Sequence, residues 1–240
     1  MKAARAFLVV AACVVGFWPQ HASHAAGETI LLVWPVQGHN GDTFYLSGHG
    51  YLPNTRLSFV IACPSFFAPG AAQDGNVQLW NGPTTNQNGD FSGYPVMGFM
   101  LHVLTSSPCE VRANYAELNQ VFVCTICGLY NIVPPHTPLQ ARARFIQGHV
   151  RATPQRVRAG IDEKFHIDAW GGATAQVTVR FPHQKPRKIG PIHLDWRGQG
   201  DRSVPVDSSA AQQPGVATVG VSFSLGDKRG SAATSFTVVR

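Results

Sequence analysis

From residue 43 onward, apolar side chains return at every second position in short runs, and Gly, Pro, Asn and Asp cluster between the runs. Residues 43–46, 56–62, 110–115, 120–126, 164–170, 176–181, 217–225 and 234–239 alternate, or concentrate β-branched and aromatic side chains. Successive side chains of a strand face opposite sides, so this spacing predicts β-strands with one buried face. In the run 175–180, Ala175, Val177 and Val179 fall on one face and Gln176, Thr178 and Arg180 on the other. A period near 3.6 is almost absent beyond the first 26 residues, so the expected class is all-β. Asn88-Gly89 and the stretch Gly226-Asp227-Lys228-Arg229-Gly230 are hairpin signals.

The chain opens differently. Lys2 and Arg5 precede a run of apolar and small residues from Ala6 to Trp18, Pro19 ends the run, and Ala22-Ser23-His24-Ala25-Ala26 supplies small residues. This is the layout of a secretory signal peptide, expected to occupy residues 1–26 with cleavage near Ala25 or Ala26. As a helix the run would span roughly 20 Å, short of a hydrocarbon core near 30 Å, so a retained span is the poorer reading. Val10-Ala11-Ala12-Cys13 also resembles a lipoprotein processing box, but apolar residues continue to Trp18 where a polar tether would be expected. No later apolar run reaches membrane-spanning length, so the mature chain is expected to lack a transmembrane segment and to be secreted or held at the cell surface.

Export changes the meaning of the cysteines. Without Cys13, Cys63, Cys109, Cys124 and Cys127 remain, an even number in an oxidising compartment where disulfides persist. Cys63 continues the alternation of Leu57, Phe59 and Ile61, and Cys109 begins that of Val111, Ala113 and Tyr115. Both therefore point into a core, which favours Cys63–Cys109 and leaves Cys124–Cys127 by elimination. Residues three apart in a regular strand face opposite sides, so the second pair needs a turn or bulge; Cys109–Cys124 stays open. Cys124-Thr125-Ile126-Cys127 lacks the second pair a zinc site wants and the βαβ setting of a thiol oxidoreductase.

Pro134-Pro135-His136-Thr137-Pro138 breaks the strand pattern, because closely spaced prolines donate no ladder hydrogen bonds. It divides the mature chain into a domain at 27–134, a linker at 135–138 and a domain at 139–240. Charge divides the same way: residues 28–137 carry 2 basic and 6 acidic side chains, net −4, and residues 138–240 carry 15 and 7, net +8. A faint repeat pairs Trp80-Asn81-Gly82 with Trp196-Arg197-Gly198, Gly89-Asp90 with Gly200-Asp201, and Pro95-Val96 with Pro205-Val206, at offsets of 116, 111 and 110. A spacing near 110 residues suits one sandwich domain. Proteolysis at the linker is expected to release two folded pieces.

The segment from Pro35 to Asn54, with Gly41-Asp42-Thr43-Phe44-Tyr45-Leu46 leading into Gly48-His49-Gly50-Tyr51 and Pro53-Asn54, resembles the opening of bacterial immunoglobulin-like modules of the IPT/TIG and neocarzinostatin-like types. Asn88-Gly89-Asp90-Phe91-Ser92 resembles the turn before a middle strand of such modules, and residues 215–239 resemble their final hairpin. The resemblance implies two tandem immunoglobulin-like β-sandwich domains, used elsewhere as spacers, adhesive modules or ligand carriers. Two features depart from it: a long stretch at 66–85, and a second domain without cysteine.

The chemistry legible in the chain is sparse. There is no Gly-x-Ser-x-Gly and no His-Glu-x-x-His, and the histidines are dispersed. Gly48-His49-Gly50 lacks the third glycine and the helix of a dinucleotide fingerprint. Asn86, Asn88 and Asp90 offer a single carboxylate, too few for calcium. No catalytic residue, cofactor or metal is therefore expected. The basic half is the candidate binding surface: Arg142, Arg144, Arg151, Arg156 and Arg158, with Lys185, Arg187 and Lys188. Arg142 and Arg144 alternate with Ala141, Ala143 and Phe145 and are expected on one solvent face of a strand. Such a surface attracts polyanions, which makes anionic cell-envelope polymers, or another surface protein, the expected partner. Nucleic acid is not specifically indicated, because no exposed aromatic platform is identifiable. The competing expectation is a small-molecule carrier cleft in the first domain, lined by Trp34, Trp80, Phe66, Phe67 and Phe99.

Overall fold

A computed structural model describes residues 28–39, 41–63, 76–79, 81–97, 107–116, 123–158, 160–207, 210 and 213–240. The expected signal peptide, with Cys13, lies outside these residues, as do Phe66, Phe67, Trp80 and Phe99.

The chain is nearly all β. In the first half, β1 (Ile30–Trp34), β3 (Phe44–His49) and β6 (Phe91–Val96) form a three-stranded sheet in the order β1-β3-β6. Facing it is a five-stranded sheet in the order β2-β8-β7-β4-β5, made of β2 (Gln37–His39), β4 (Leu57–Ala62), β5 (Asn76–Leu79), β7 (Ser107–Tyr115) and β8 (Gly128–Val133). The second half comprises a short helix α1 (Ala141–Arg144), then β9 (His149–Thr153), β10 (Arg156–Arg158), β11 (Asp162–Asp168), β12 (Thr174–Arg180), β13 (Arg187–His193), β14 (Gln199–Pro205), β15 (Gly215–Leu225) and β16 (Lys228–Val239). Its sheets run β14-β11-β9 and β10-β16-β15-β12-β13. Adding eight to each strand number of the first half reproduces both orders. The parallel pairs recur too, β2 with β8 and β10 with β16, and every other pair is antiparallel.

The repeat is therefore structural, but its register differs from the one the motifs suggest. Asn86 Oδ1 accepts from the backbone N–H of Asn88 and Asp90, and Asp195 Oδ1 accepts in the same way from Arg197 and Gln199. Gly89 and Gly198 follow at φ 78° and 84°, a conformation that favours glycine. Gly198 thus corresponds to Gly89, not to Gly82, an offset of 109. Side chain to backbone bonding fixes this turn, and the Trp-x-Gly likeness is incidental.

Each half has its own core. One cluster joins both sheets of the first half through Leu31, Phe44, Leu46, Phe59, Val111 and Ile132; the other joins those of the second through Phe165, Ile167, Val177, Val179, Val221 and Phe236. Alternation explains the burial: on β12, Ala175, Val177 and Val179 are all 0% exposed. Cys63 bonds Cys109 as the next rung of the β4–β7 ladder after Ala62 and Glu110, with Cα atoms 4.2 Å apart and both residues buried. Cys124 bonds Cys127 within a turn, in which Thr125 and Ile126 donate their backbone N–H to Thr29 O. No strand forms over 123–126; residues 117–122 lie outside the described set, and the strand begins at Gly128.

The two halves touch through their ends. Trp34 stacks on Trp170 with centroids 6.4 Å apart, and His49 stacks on Trp196 at 4.5 Å with rings 2° from parallel. Tyr45 Oη donates to Asp227 Oδ1 at 3.2 Å. Gly172 (φ 77°) lies where a Cβ would meet the Gly93 backbone. The proline-rich segment is turned, Thr137 donating its N–H to Pro134 O, and His39 Nε2 donates to Thr137 O at 2.8 Å.

Glu163, on the core face of β11, is 0% exposed, and neither carboxylate oxygen has a hydrogen-bond partner among the described residues. Burial pushes its carboxyl up to about 7, the Thr153 backbone pulling the other way. A folded-state value above the unfolded one means that stability is fully present below about pH 4.5 and falls as pH rises to about 7. Relative to Glu163→Gln, the wild-type chain should lose on the order of 2 kcal/mol across that window, read from urea unfolding of both proteins at pH 4 and pH 8. A second expectation concerns the junction. Trp196→Ala removes the stack on His49 at a cost of about 1 kcal/mol, and calorimetry should then resolve a separate, earlier transition for one half.

Candidate functional site

The residues proposed as a basic face divide into four places. Arg142 and Arg144 sit on the single turn of α1, not on a strand. Ala and Arg are good helix formers, and the backbone N–H of Phe145 closes the turn onto Ala141 O. Both arginines are exposed while Ala143 is buried. Arg156 and Arg158 flank buried Val157 on β10, at one edge of the five-stranded sheet. Arg151 is on β9, in the facing sheet, opposite His166 in the ladder. Lys185, Arg187 and Lys188 lie in the loop before β13 and at its start, on the other edge of the larger sheet, with three strands between them and β10. The eight residues do not share one face.

Arg142, Arg144, Arg151, Arg156 and Arg158 do not line the groove that the fourth place meets. The fourth opens onto a groove of about 990 Å³ between β13 and β14, lined among others by Lys164, Arg187, Lys188 and Arg202. Both strands are edges of their sheets, so the groove runs along one open side of the sandwich. Arg187 pairs across the ladder with Val179, and Ile189 with Val177; both partners are buried, so these side chains turn toward the space between the layers. Arg202 stands opposite buried Phe165 on β11 and turns inward in the same way. Lys164 and Lys188 lie on the outer flanks.

The charges differ in their compensation. Arg187 is fixed: its guanidinium pairs with Asp207 at 2.7 Å, donates to Gln184 Oε1 at 2.9 Å and lies 4.9 Å from the centroid of Phe181. Lys164, Lys188 and Arg202 make no salt bridge among the described residues. The groove's Asp201 accepts from His166 Nδ1 at 2.7 Å, with Asp168 3.4 Å from Nε2. The Asp201 hydrogen bond, joined by the Coulombic pull of both carboxylates, holds His166 above its ordinary value despite slight desolvation. As His166 takes up a proton it offsets Asp201, and the groove becomes more cationic.

Lys164, His166 and Arg202 escaped the sequence reading. The alternation of 162–168 shows Lys164 and His166 pointing away from the core, but only the pairing of β11 with a strand more than thirty residues later brings Asp201 and Arg202 beside them. Of the five residues of the expected carrier cleft only Trp34 is described, and its ring packs on Trp170 at the junction; Phe66, Phe67, Trp80 and Phe99 lie outside the described residues. Among the described residues, no group of three or more His, Cys, Asp or Glu is placed to hold a metal ion, and no helix is long and apolar enough to cross a membrane.

No protein-family profile matches this sequence, and no curated protein does. Among solved structures, the chain is similar to Escherichia coli alpha-2-macroglobulin activated by porcine elastase at 12% identity and a TM-score of 0.35, covering 84% of this chain and 22% of that one. It is similar to a tetra-tandem repeat from the extending region of a large adhesion protein at 13% identity and a TM-score of 0.34, covering 88% and 49%. It is also similar to the Yersinia pseudotuberculosis adhesin InvE at 10% identity and a TM-score of 0.25, covering 87% and 58%. The chain spans only part of each of these proteins, from about a fifth to somewhat over half.

Proposed function

We propose that this is an exported, non-catalytic binding or spacer protein of the bacterial cell surface or extracellular space, whose basic half engages anionic envelope polymers. The observation that carries the reading is the recurrence of one eight-strand plan in two halves of opposite charge, net −4 and net +8. Equal scaffolds with opposite surfaces are suited to holding one end at a polyanion while presenting the other away from it. Two disulfides fit an oxidising compartment, and the leader-like residues 1–26 supply the route. In this reading residues 27–134 and 139–240 are two immunoglobulin-like domains, related by their opening and closing motifs to the IPT/TIG or neocarzinostatin-like types, and 135–138 joins them.

Attraction by a net-positive domain releases counterions and weakens with salt. The full chain should be retained on an immobilised polyanion, inorganic polyphosphate for example, at 50 mM salt, with affinity falling at least tenfold by 500 mM. Absence of retention at low salt, or retention indifferent to salt, would contradict the reading.

A further inference from the structure

Resting on that reading, we propose that the polymer is held in the groove between β13 and β14, and that its chemistry is a linear chain of phosphodiester-linked units lying along the two strands. The dispersed arginines are then bystanders.

Shape comes first. The groove is lined by Arg187, Lys188 and Ile189 of β13 and by Asp201 to Pro205 of β14, about 16 Å on the longer side at 3.3 Å per residue, and past Ile189 it ends where Leu194 and Ile192 lie against Gly200. That is room for a short run of repeat units of an extended chain. Charge comes second. Lys164, Lys188 and Arg202 gather like charge around one opening, with no salt bridge among the described residues, while Asp201 is already met by His166. Elsewhere in the groove the cation is satisfied, as for Arg187 with Asp207. Three unspent cations in one groove supply the attraction that an anionic chain would answer.

The lining then favours phosphodiester units. Ile189 and Pro205 add apolar surface beside the cations in the lining, which suits a chain whose charges are separated by polyol or sugar carbons and not a continuous charged ribbon. Arg202 presents a planar fork that pairs with two oxygens of one phosphate, and Lys164 and Lys188 add point charges on either flank. A carboxylate polymer could exploit the charge but gains less from spacing and fork together.

The full chain is titrated at 50 mM salt with a synthetic poly(glycerol phosphate) of about ten repeats, and separately with polygalacturonate. Two variants are compared: Lys164→Gln with Lys188→Gln and Arg202→Gln, and Arg142→Gln with Arg144→Gln, Arg156→Gln and Arg158→Gln. The second removes more charge, so a purely long-range attraction would make it the weaker binder. We expect the groove variant to lose at least tenfold in affinity for poly(glycerol phosphate) and the dispersed variant to stay within threefold, with both melting like wild type. An Arg202→Lys exchange should lose about threefold, since it keeps the charge and loses the fork. A groove variant within twofold of wild type, or a dispersed variant that loses more, overturns the groove while leaving the polyanion reading intact. Equal or tighter binding of polygalacturonate by wild type overturns the phosphodiester assignment. If wild type binds neither polymer, the polyanion reading itself falls.

Discussion

Each half of the chain stacks three strands on five, and the smaller layer cannot cover the larger. With strands about 4.8 Å apart, a three-stranded layer is narrower than a five-stranded one by roughly 10 Å. Inner-face residues under the small layer are sealed, as Ala175, Val177 and Val179 of β12 are, whereas those of the outlying edge β13 are at most half-buried. The overhang leaves the inner face of β13 only partly covered. On the β13 side it leaves a margin in which arginine and isoleucine can share an inner face, the guanidinium reaching water while its stem covers apolar surface.

Charge is arranged on that frame with little pairing at the groove. An exposed ion pair contributes about 1 kcal/mol at most, so neutralising Lys188 or Arg202 internally would stabilise the fold only slightly. Leaving them unpaired costs correspondingly little. Glu163 is the opposite case, a carboxyl on the core face of the same sheet whose oxygens have no hydrogen-bond partner among the described residues. Replacing it by an apolar group of similar shape removes a desolvation penalty, so nothing in the packing of the second core explains its presence.

How much of this could be read in the chain follows from which strands carry a one-sided pattern. β12, β15 and most of β16 are covered on one face and solvated on the other, and their alternation is plain in the sequence. β13 and β14 are edges in which polar residues fall on both faces and Gly190, Pro191 and Gly200 interrupt the rhythm, so no hydrophobic period marks them. The groove consists of these strands and was therefore hidden, although Arg187 and Lys188 stood out by charge alone. Cys63 and Cys109 were legible because each extends the alternation of its own strand, and the ladder then set them opposite. Arg142 and Arg144 misled for a related reason: alternate polar and apolar residues over four positions fit one helical turn as well as a strand.

Trp34 shows the remaining limit and bears on the spacer role. A tryptophan at the end of an alternating run looks like the wall of a cleft, yet its ring lies against Trp170 of the other half. The Tyr45–Asp227 bond and the His49–Trp196 stack engage the same two ends, and the close approach of Gly172 to Gly93 leaves no room for a side chain between them. A connection by residues 134–138 alone would let each half reorient freely, and the reach of the pair would fluctuate with that linker. Contacts at several separate points instead resist bending in more than one direction. A bound polymer would then orient the acidic half as well as tether it, a consequence of the junction and not of the linker.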